Sequence, residues 1–283
     1  PARMISPTQR QVDIPIENGF VGMVDRKDFD PFLRNRAAEK GADLRVGTFL
    51  RIERTNDSAV VVYRDKTSRD EVDQPDRCDV SYDVEIPPEC YGWVFPHGES
   101  ASVGMGTGVD GVDLKAATAA LREASGLADC ETLRKEGAPI PLKPLDRWDN
   151  GKDVVLAGDA AGVVAPSSGE GIYYAMVGGR VAATATAATL ASGRVKDLQL
   201  ARKLFMREHK QVFQVLGAMQ NAYYKSDERR ERFVSLCHDI DVQRLTFEAY
   251  MNKKLVKARP MAHIKIGIKN LAHLTGLVSP VRT

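Results

Sequence analysis

The chain reads as an α+β protein carrying an α/β segment, and three observations predict that. Val80, Tyr82 and Val84 alternate with polar neighbours, and Tyr91–Phe95 and Ser100–Met105 follow as a strand pair, the period of an antiparallel sheet with one packed face. The apolar run 153–157 leads through a glycine-rich loop into an alanine-rich stretch over 172–190 with helical spacing. From residue 197 onward the apolar pattern is helical almost throughout.

In chain order, residues 11–24 mix polar and apolar positions around Pro15 and Gly19 and read as short strands and a turn. Phe29, Phe32, Leu33 and Ala37 recur at helical spacing. That helix should start near Asp28 or Asp30 with Pro31 in its first turn, and stop at Gly41. Residues 44–53 and 59–64 are strand candidates joined by the turn TNDS, and 65–77 is a polar connector. Asp113 should cap a helix over 113–125. Three prolines within 137–149 demand an extended path. The spacing then predicts helices over 197–224, 227–238, 241–256 and 261–274, with Pro260 separating the last two. These blocks suggest divisions at 1–72, 73–149, 150–193 and 194–283.

Composition narrows the function. At 43% hydrophobic and 28% charged residues in 283, the chain can build a core, which excludes disorder as its main state. It contains no run of 18 apolar residues, so no spanning helix is expected. The four cysteines, Cys78, Cys90, Cys130 and Cys237, form no Cys-x-x-Cys, which argues against a disulfide scaffold and a zinc site. Charge is divided unevenly: residues 1–193 hold 22 basic and 30 acidic residues, residues 194–283 hold 18 and 8. Lys253, Lys254, Lys257, Arg259, Lys265 and Lys269 form a stretch with no acid in it, which suits a diphosphate or anionic lipid heads. No nucleic-acid module accompanies it.

Residues 158–171, GDAAGVVAPSSGEG, carry the chemistry. A carboxylate at a strand end, Asp159, can accept hydrogen bonds from ligand hydroxyls. Gly158, Ala160 and Gly162 let a ligand approach the backbone, and the run through Pro166, Gly169 and Gly171 delivers the free N–H groups of a helix start near Ile172. This run resembles the second flavin-binding segment of the para-hydroxybenzoate-hydroxylase-like FAD-dependent oxidoreductases. The resemblance implies that Asp159 contacts the ribityl chain and that the helix start faces the flavin pyrimidine edge and pyrophosphate. Asp25, Arg26, Phe29, Asp30, Leu33 and Ala37 match a further segment of that superfamily, which makes Arg26 a cofactor-binding candidate.

Pro88, Tyr91, Trp93, Phe95 and Pro96 form P-x-x-Y-x-W-x-F-P. This is similar to the substrate-domain motif of geranylgeranyl reductases, and TFEAYMNKKLVKARPMAHIKIGIKNLAHLTGLV resembles their chlorophyll and bacteriochlorophyll branch. In a strand Tyr91, Trp93 and Phe95 share one face, which suits an apolar prenyl tail or, equally, core packing. Cys90 lies beside the motif. The resemblance implies NADPH as electron donor, FAD as cofactor, and stepwise saturation of a geranylgeranyl chain to phytyl, on the diphosphate or on geranylgeranylated (bacterio)chlorophyll. His97 is a weak candidate proton donor. The cysteine usage reads as reduced thiols in a cytoplasmic chain, with the basic C-terminal helices as candidates for peripheral contact with a photosynthetic membrane; residues 261–274 have the amphipathic spacing of an interfacial helix.

The expected fold is therefore an incomplete FAD-binding Rossmann-like domain of the glutathione-reductase type, an antiparallel-sheet substrate domain and a helical C-terminal region. No strand followed by G-x-G-x-x-G occurs, and the sequence opens at Pro1 as though inside a longer one. After 60–64 the chain passes straight into the substrate sheet, so it reads as internally shortened. Weak FAD retention by this chain is the resulting expectation. Two other readings stay open: a flavin-dependent hydroxylase of the same superfamily, and a non-catalytic lipid- or pigment-binding remnant.

Overall fold

A computed structural model describes residues 2–15, 24–45, 47–54, 59–65, 79–81, 91–97, 100–109, 111–243 and Lys253. Five strands form one sheet in the order β2-β1-β5-β6-β7: β1 Ala2–Ile5, β2 Gln11–Ile14, β5 Asp79–Ser81, β6 Gly92–His97 and β7 Ser100–Met105. Neighbours are antiparallel except β1 and β5, which run parallel. Strands β1 and β2 thus share a sheet with the aromatic strand, and the division drawn at 72/73 runs across that sheet. Alternation decides the faces. Val12 and Ile14 of β2 point inward while Gln11 and Asp13 face solvent.

The two faces of the β6–β7 pair differ. Val94, Val103 and Met105 pack against Leu121 and Ala117 of α2, Leu114–Ala124. Asp113 caps α2 as expected, accepting from the N–H groups of Lys115 and Ala116. The other face carries the aromatic side chains.

The helical region holds most of the core. Helix α3 covers Ile172–Ser192, α4 covers Leu200–Tyr223 and α5 covers Asp227–Leu236. Trp148, Tyr174, Phe205 and Phe213 interlock between α3, α4 and the extended segment before residue 150, with ring centroids 5.0–6.0 Å apart. Small residues on α3 bring backbones together: a methyl group on Gly178 would stand 3.0 Å from the Gly158 nitrogen. The glycine loop therefore lies directly on α3. A second cluster joins Tyr223, Phe233 and Val234 to Val12, Ile14 and Tyr91, fixing the sheet to the helices. Glu231 reinforces the joint, accepting from the Thr8 hydroxyl at 2.8 Å and pairing with Arg10.

Three expectations need correction. Residues 153–157 are no strand: one isolated bridge, Asp149 to Val155, is their only ladder contact among the described residues. An extended apolar run becomes a strand only when a neighbour pairs with it. Helix α1 spans Arg26–Glu39, so Pro31 falls in its second turn, because Asp25 accepts from the Lys27 N–H and starts the helix a turn early. It stops at Gly41 as expected, with Ala42 N–H bonded back to Ala37. Helix α4 begins at Leu200, behind a 3₁₀ segment over Val195–Gln199.

The strands expected over 44–64 form a separate antiparallel hairpin, β3 Gly47–Arg54 and β4 Ala59–Asp65. Phe49, Leu50, Val60 and Val61 of this hairpin are exposed, as is Phe32 of α1. Residues 244–252 and 254–283, with the helix expected over 261–274 and most of that expected over 241–256, lie outside the described residues, as do Cys78, Tyr82, Val84, Pro88 and Cys90.

Candidate functional site

The site begins where the segment before α3 turns. Gly158–Ala161 forms a 3₁₀ turn closed by Gly162. Gly162 has φ +76°, and any side chain there would strike the Lys143 carbonyl, so only glycine fits. Gly158 and Pro166 are buried, while Asp159 and Ala160 face outward. Residues 165–170 then close on themselves: the Ala165 N–H donates to Glu170 O at 2.9 Å and the Gly169 N–H to Ala165 O at 3.0 Å. Two tyrosines hold adjacent carbonyls of this loop. Tyr224 of the α4 terminus donates to Ser167 O at 2.9 Å, and Tyr91 donates to Ser168 O.

The Asp159 carboxylate stands at the start of α3; a methyl group on Gly171 would lie 3.5 Å from its Oδ1. Arg26 belongs to the same neighbourhood. Its guanidinium is bound to Asp30 at 2.7 and 2.8 Å. That bond chiefly raises its pKa, burial opposes the rise, and the charges of Asp159 and Glu136 add to it. Asp30 is held below the usual carboxylate range by the same bond to Arg26. The structure thus brings Asp159 to Gly171 and the helix start at Ile172, and the charge of Asp159 is felt by Arg26 of a distant segment. An exposed carboxylate, glycine backbone and a helix start fit the donor and acceptor needs of a flavin nucleotide.

Tyr91, Trp93 and Phe95 share a face as expected, with ring centroids 6.0 and 6.1 Å apart along the row. Across the ladder they meet small partners: Trp93 pairs with Gly104, Phe95 with Ser102 and His97 with Ser100. A side chain at Gly104 would collide with the indole. Tyr91 is buried where the row reaches the loop at Gly169, whose added methyl would sit 3.5 Å from the Tyr91 hydroxyl. Trp93 and Phe95 are half-buried, and His97 ends the strand. The inner end of the aromatic row joins the core and its outer end does not.

Lys253 is not left to an outside anion. Its Nζ lies 2.6 Å from Glu170 Oε2 and 5.5 and 5.6 Å from the ring centroids of Tyr173 and Tyr174. Glu170 was not among the expected site residues, although it sits inside the Gly169–Gly171 run. Tyr174 is buried, which pushes its hydroxyl well above the usual tyrosine range. Burial also pushes the Cys237 thiol up to about 12, so it stays protonated and unreactive; Cys130 is exposed. Among the described residues no group of His, Cys, Asp and Glu could hold a metal ion, and no helix is long and apolar enough to cross a membrane.

A strand of aromatics is thus fixed to a glycine loop at a helix start, an apolar row beside an exposed carboxylate. No protein-family profile matches the chain. Curated proteins do. The chain is 57% identical to the geranylgeranyl diphosphate reductase of Rhodobacter capsulatus, over 99% of this chain and 83% of that protein. It is 33% identical to the chloroplastic geranylgeranyl diphosphate reductase of Oryza sativa subsp. japonica, over 96% of this chain and 72% of that protein. The Synechocystis protein of the same name is 30% identical over 96% and 82%. The chain belongs to the geranylgeranyl diphosphate reductase family. The Rhodobacter match extends over 323 positions, whereas 99% of 283 residues is about 280; the relative therefore carries some 40 positions inside the match that this chain lacks. That agrees with an internally shortened chain.

Proposed function

We propose that the chain is an oxidoreductase that saturates isolated double bonds of a geranylgeranyl chain, with the prenyl tail along Tyr91, Trp93 and Phe95 and a flavin at residues 158–171. Residues 1–72 and 150–193 would contribute segments of a glutathione-reductase-type FAD domain, and 73–149 the substrate surface. FAD, reduced by NADPH, would supply hydride to one alkene carbon while a proton goes to the other. The chain's own residues do the rest. Asp159 accepts hydrogen bonds from ribityl hydroxyls, and Arg26, oriented by Asp30, adds positive charge near the nucleotide. The start of α3 favours negative charge on the bound group. Trp93, packed over Gly104, and Phe95 shed water from the tail. His97, at the end of the same face, is the proton-donor candidate. Basic residues beyond Lys253 are offered to the diphosphate or to anionic lipid at a photosynthetic membrane.

One observation carries this reading: Tyr91 both begins the aromatic row and hydrogen-bonds the loop carbonyl of Ser168. An apolar tail on that row would end beside the glycine loop. The test is mass spectrometry of prenyl products after incubation with geranylgeranyl diphosphate, NADPH and FAD, comparing this chain with one given a dinucleotide-binding N-terminus. Stepwise gain of two hydrogens supports the proposal. Hydroxylated products would point to the oxygen-using branch of the superfamily, and prenyl binding without NADPH oxidation in both proteins would reduce the site to a lipid holder.

A further inference from the structure

Helix α3 starts with an awkward charge. Gly171 offers no side-chain cap, so Glu170, two residues before the helix, supplies it: Oε1 accepts the Tyr173 N–H at 2.9 Å. A carboxylate there satisfies the helix. It also places a full negative charge where the proposed cofactor brings another, and two anions at one helix start repel. Lys253 answers this. Its ammonium donates to the second oxygen, Oε2, from 83 residues along the chain. Both side chains are largely removed from solvent, at 15% exposure for Lys253 and 27% for Glu170, and the ammonium is flanked by the Tyr173 and Tyr174 rings. Lys253 also adopts φ +56°, a left-handed conformation that a lysine rarely takes, so its surroundings hold it there against a local cost.

We propose that Lys253 is a positioning residue for the cofactor loop: it fixes Glu170 as the cap of α3 and cancels its charge, so that the helix start accepts an anionic group. The charge-cancelling half rests on the flavin assignment above; the capping half does not. The pair was invisible to motif spacing because its members lie in different segments.

Two measurements separate these halves. Hydrogen exchange of the peptide covering 169–176 is followed in the protein without added cofactor, and FAD affinity is followed by flavin fluorescence, with circular dichroism to verify folding. Lys253→Ala should speed exchange of that peptide and weaken FAD binding, each about tenfold, because it leaves a partly buried carboxylate unpaired. Lys253→Arg should restore both. Adding Glu170→Gln to Lys253→Ala should recover the lost affinity to within about threefold, the mark of charge coupling. Unaltered exchange in a folded Lys253→Ala protein overturns the capping role. Altered exchange with no recovery in the double variant overturns the charge-cancelling role and makes Lys253 a direct ligand contact. Altered exchange with no FAD binding in any variant, the unchanged chain included, upholds the capping role and overturns the charge-cancelling role in this chain.

Discussion

The helical region and the α1/β3–β4 region both carry aromatic and β-branched residues, yet only the first buries them. Trp148, Tyr174 and Phe205 are at most 1% exposed, while Phe49 is 60% and Phe32 58% exposed. Apolar content alone therefore does not make a core; a second layer must cover it. Helix α3 has α4 as its cover. The β3–β4 hairpin has none among the described residues, and it is tied to the loop side by a polar contact, Arg54 to Asp153 at 2.8 Å. The difference teaches where this chain's stability resides, and it can be attacked from several directions.

The largest effect should come from the core itself. Phe205→Ala should cost about 3–5 kcal/mol, since the ring is enclosed by Trp148, Tyr174 and Phe213. Phe49→Ala should change stability by less than about 0.5 kcal/mol. Urea unfolding followed by circular dichroism compares them; a large loss from Phe49→Ala would mean that something covers the hairpin in solution. Next come two glycines in the same left-handed region. Gly162→Ala meets both the conformational cost and the Lys143 carbonyl, about 3 kcal/mol together. Gly41→Ala, with open space around it, should cost about 1 kcal/mol. Equal losses would show that packing at the loop adds nothing.

Tyr91→Phe keeps the ring and removes the bond to Ser168, which should cost about 1 kcal/mol in thermal or urea unfolding and lower product yield more than binding of prenyl substrate. The smallest global effect belongs to the hairpin tie. Arg54, first, and Asn150, second, hold the Asp153 carboxyl well below the usual carboxylate range. A depressed folded-state value means that the tie contributes above the unfolded value of roughly 3.9 and is lost as pH falls toward the folded one. Hydrogen exchange of residues 47–65, relative to α3, should therefore stay level from neutral to mildly acidic solution and rise only in stronger acid. Arg54→Ala should raise it at neutral pH without moving the main unfolding transition.

The aromatic row, the Asp113 cap, the Gly41 stop and the glycine loop were all legible because each is a local pattern, settled by period, capping chemistry or a single backbone requirement. What escaped depends on distant partners. The run 153–157 has the composition of a strand but no ladder neighbour beyond one bridge. Strand β1 pairs with β5 across more than seventy residues, so nothing near Met4 announces it. At the site, Asp159 and Gly171 were readable from their loop, and Arg26 from the family likeness. Tyr224 and the Glu170–Lys253 pair were not, since a tyrosine in a helical run and a lysine in a basic one carry no mark of the carbonyl or carboxylate they reach.

The adjacent carbonyls of Ser167 and Ser168 are gripped by two elements, one by the C-terminus of α4 and one by the residue that leads into β6. A loop clamped between two bodies cannot drift with either. Its height above the aromatic floor is consequently a built-in gauge, set by the lengths of two tyrosine side chains, and shortening either one would retune how far a tail on that floor stands from whatever the loop holds.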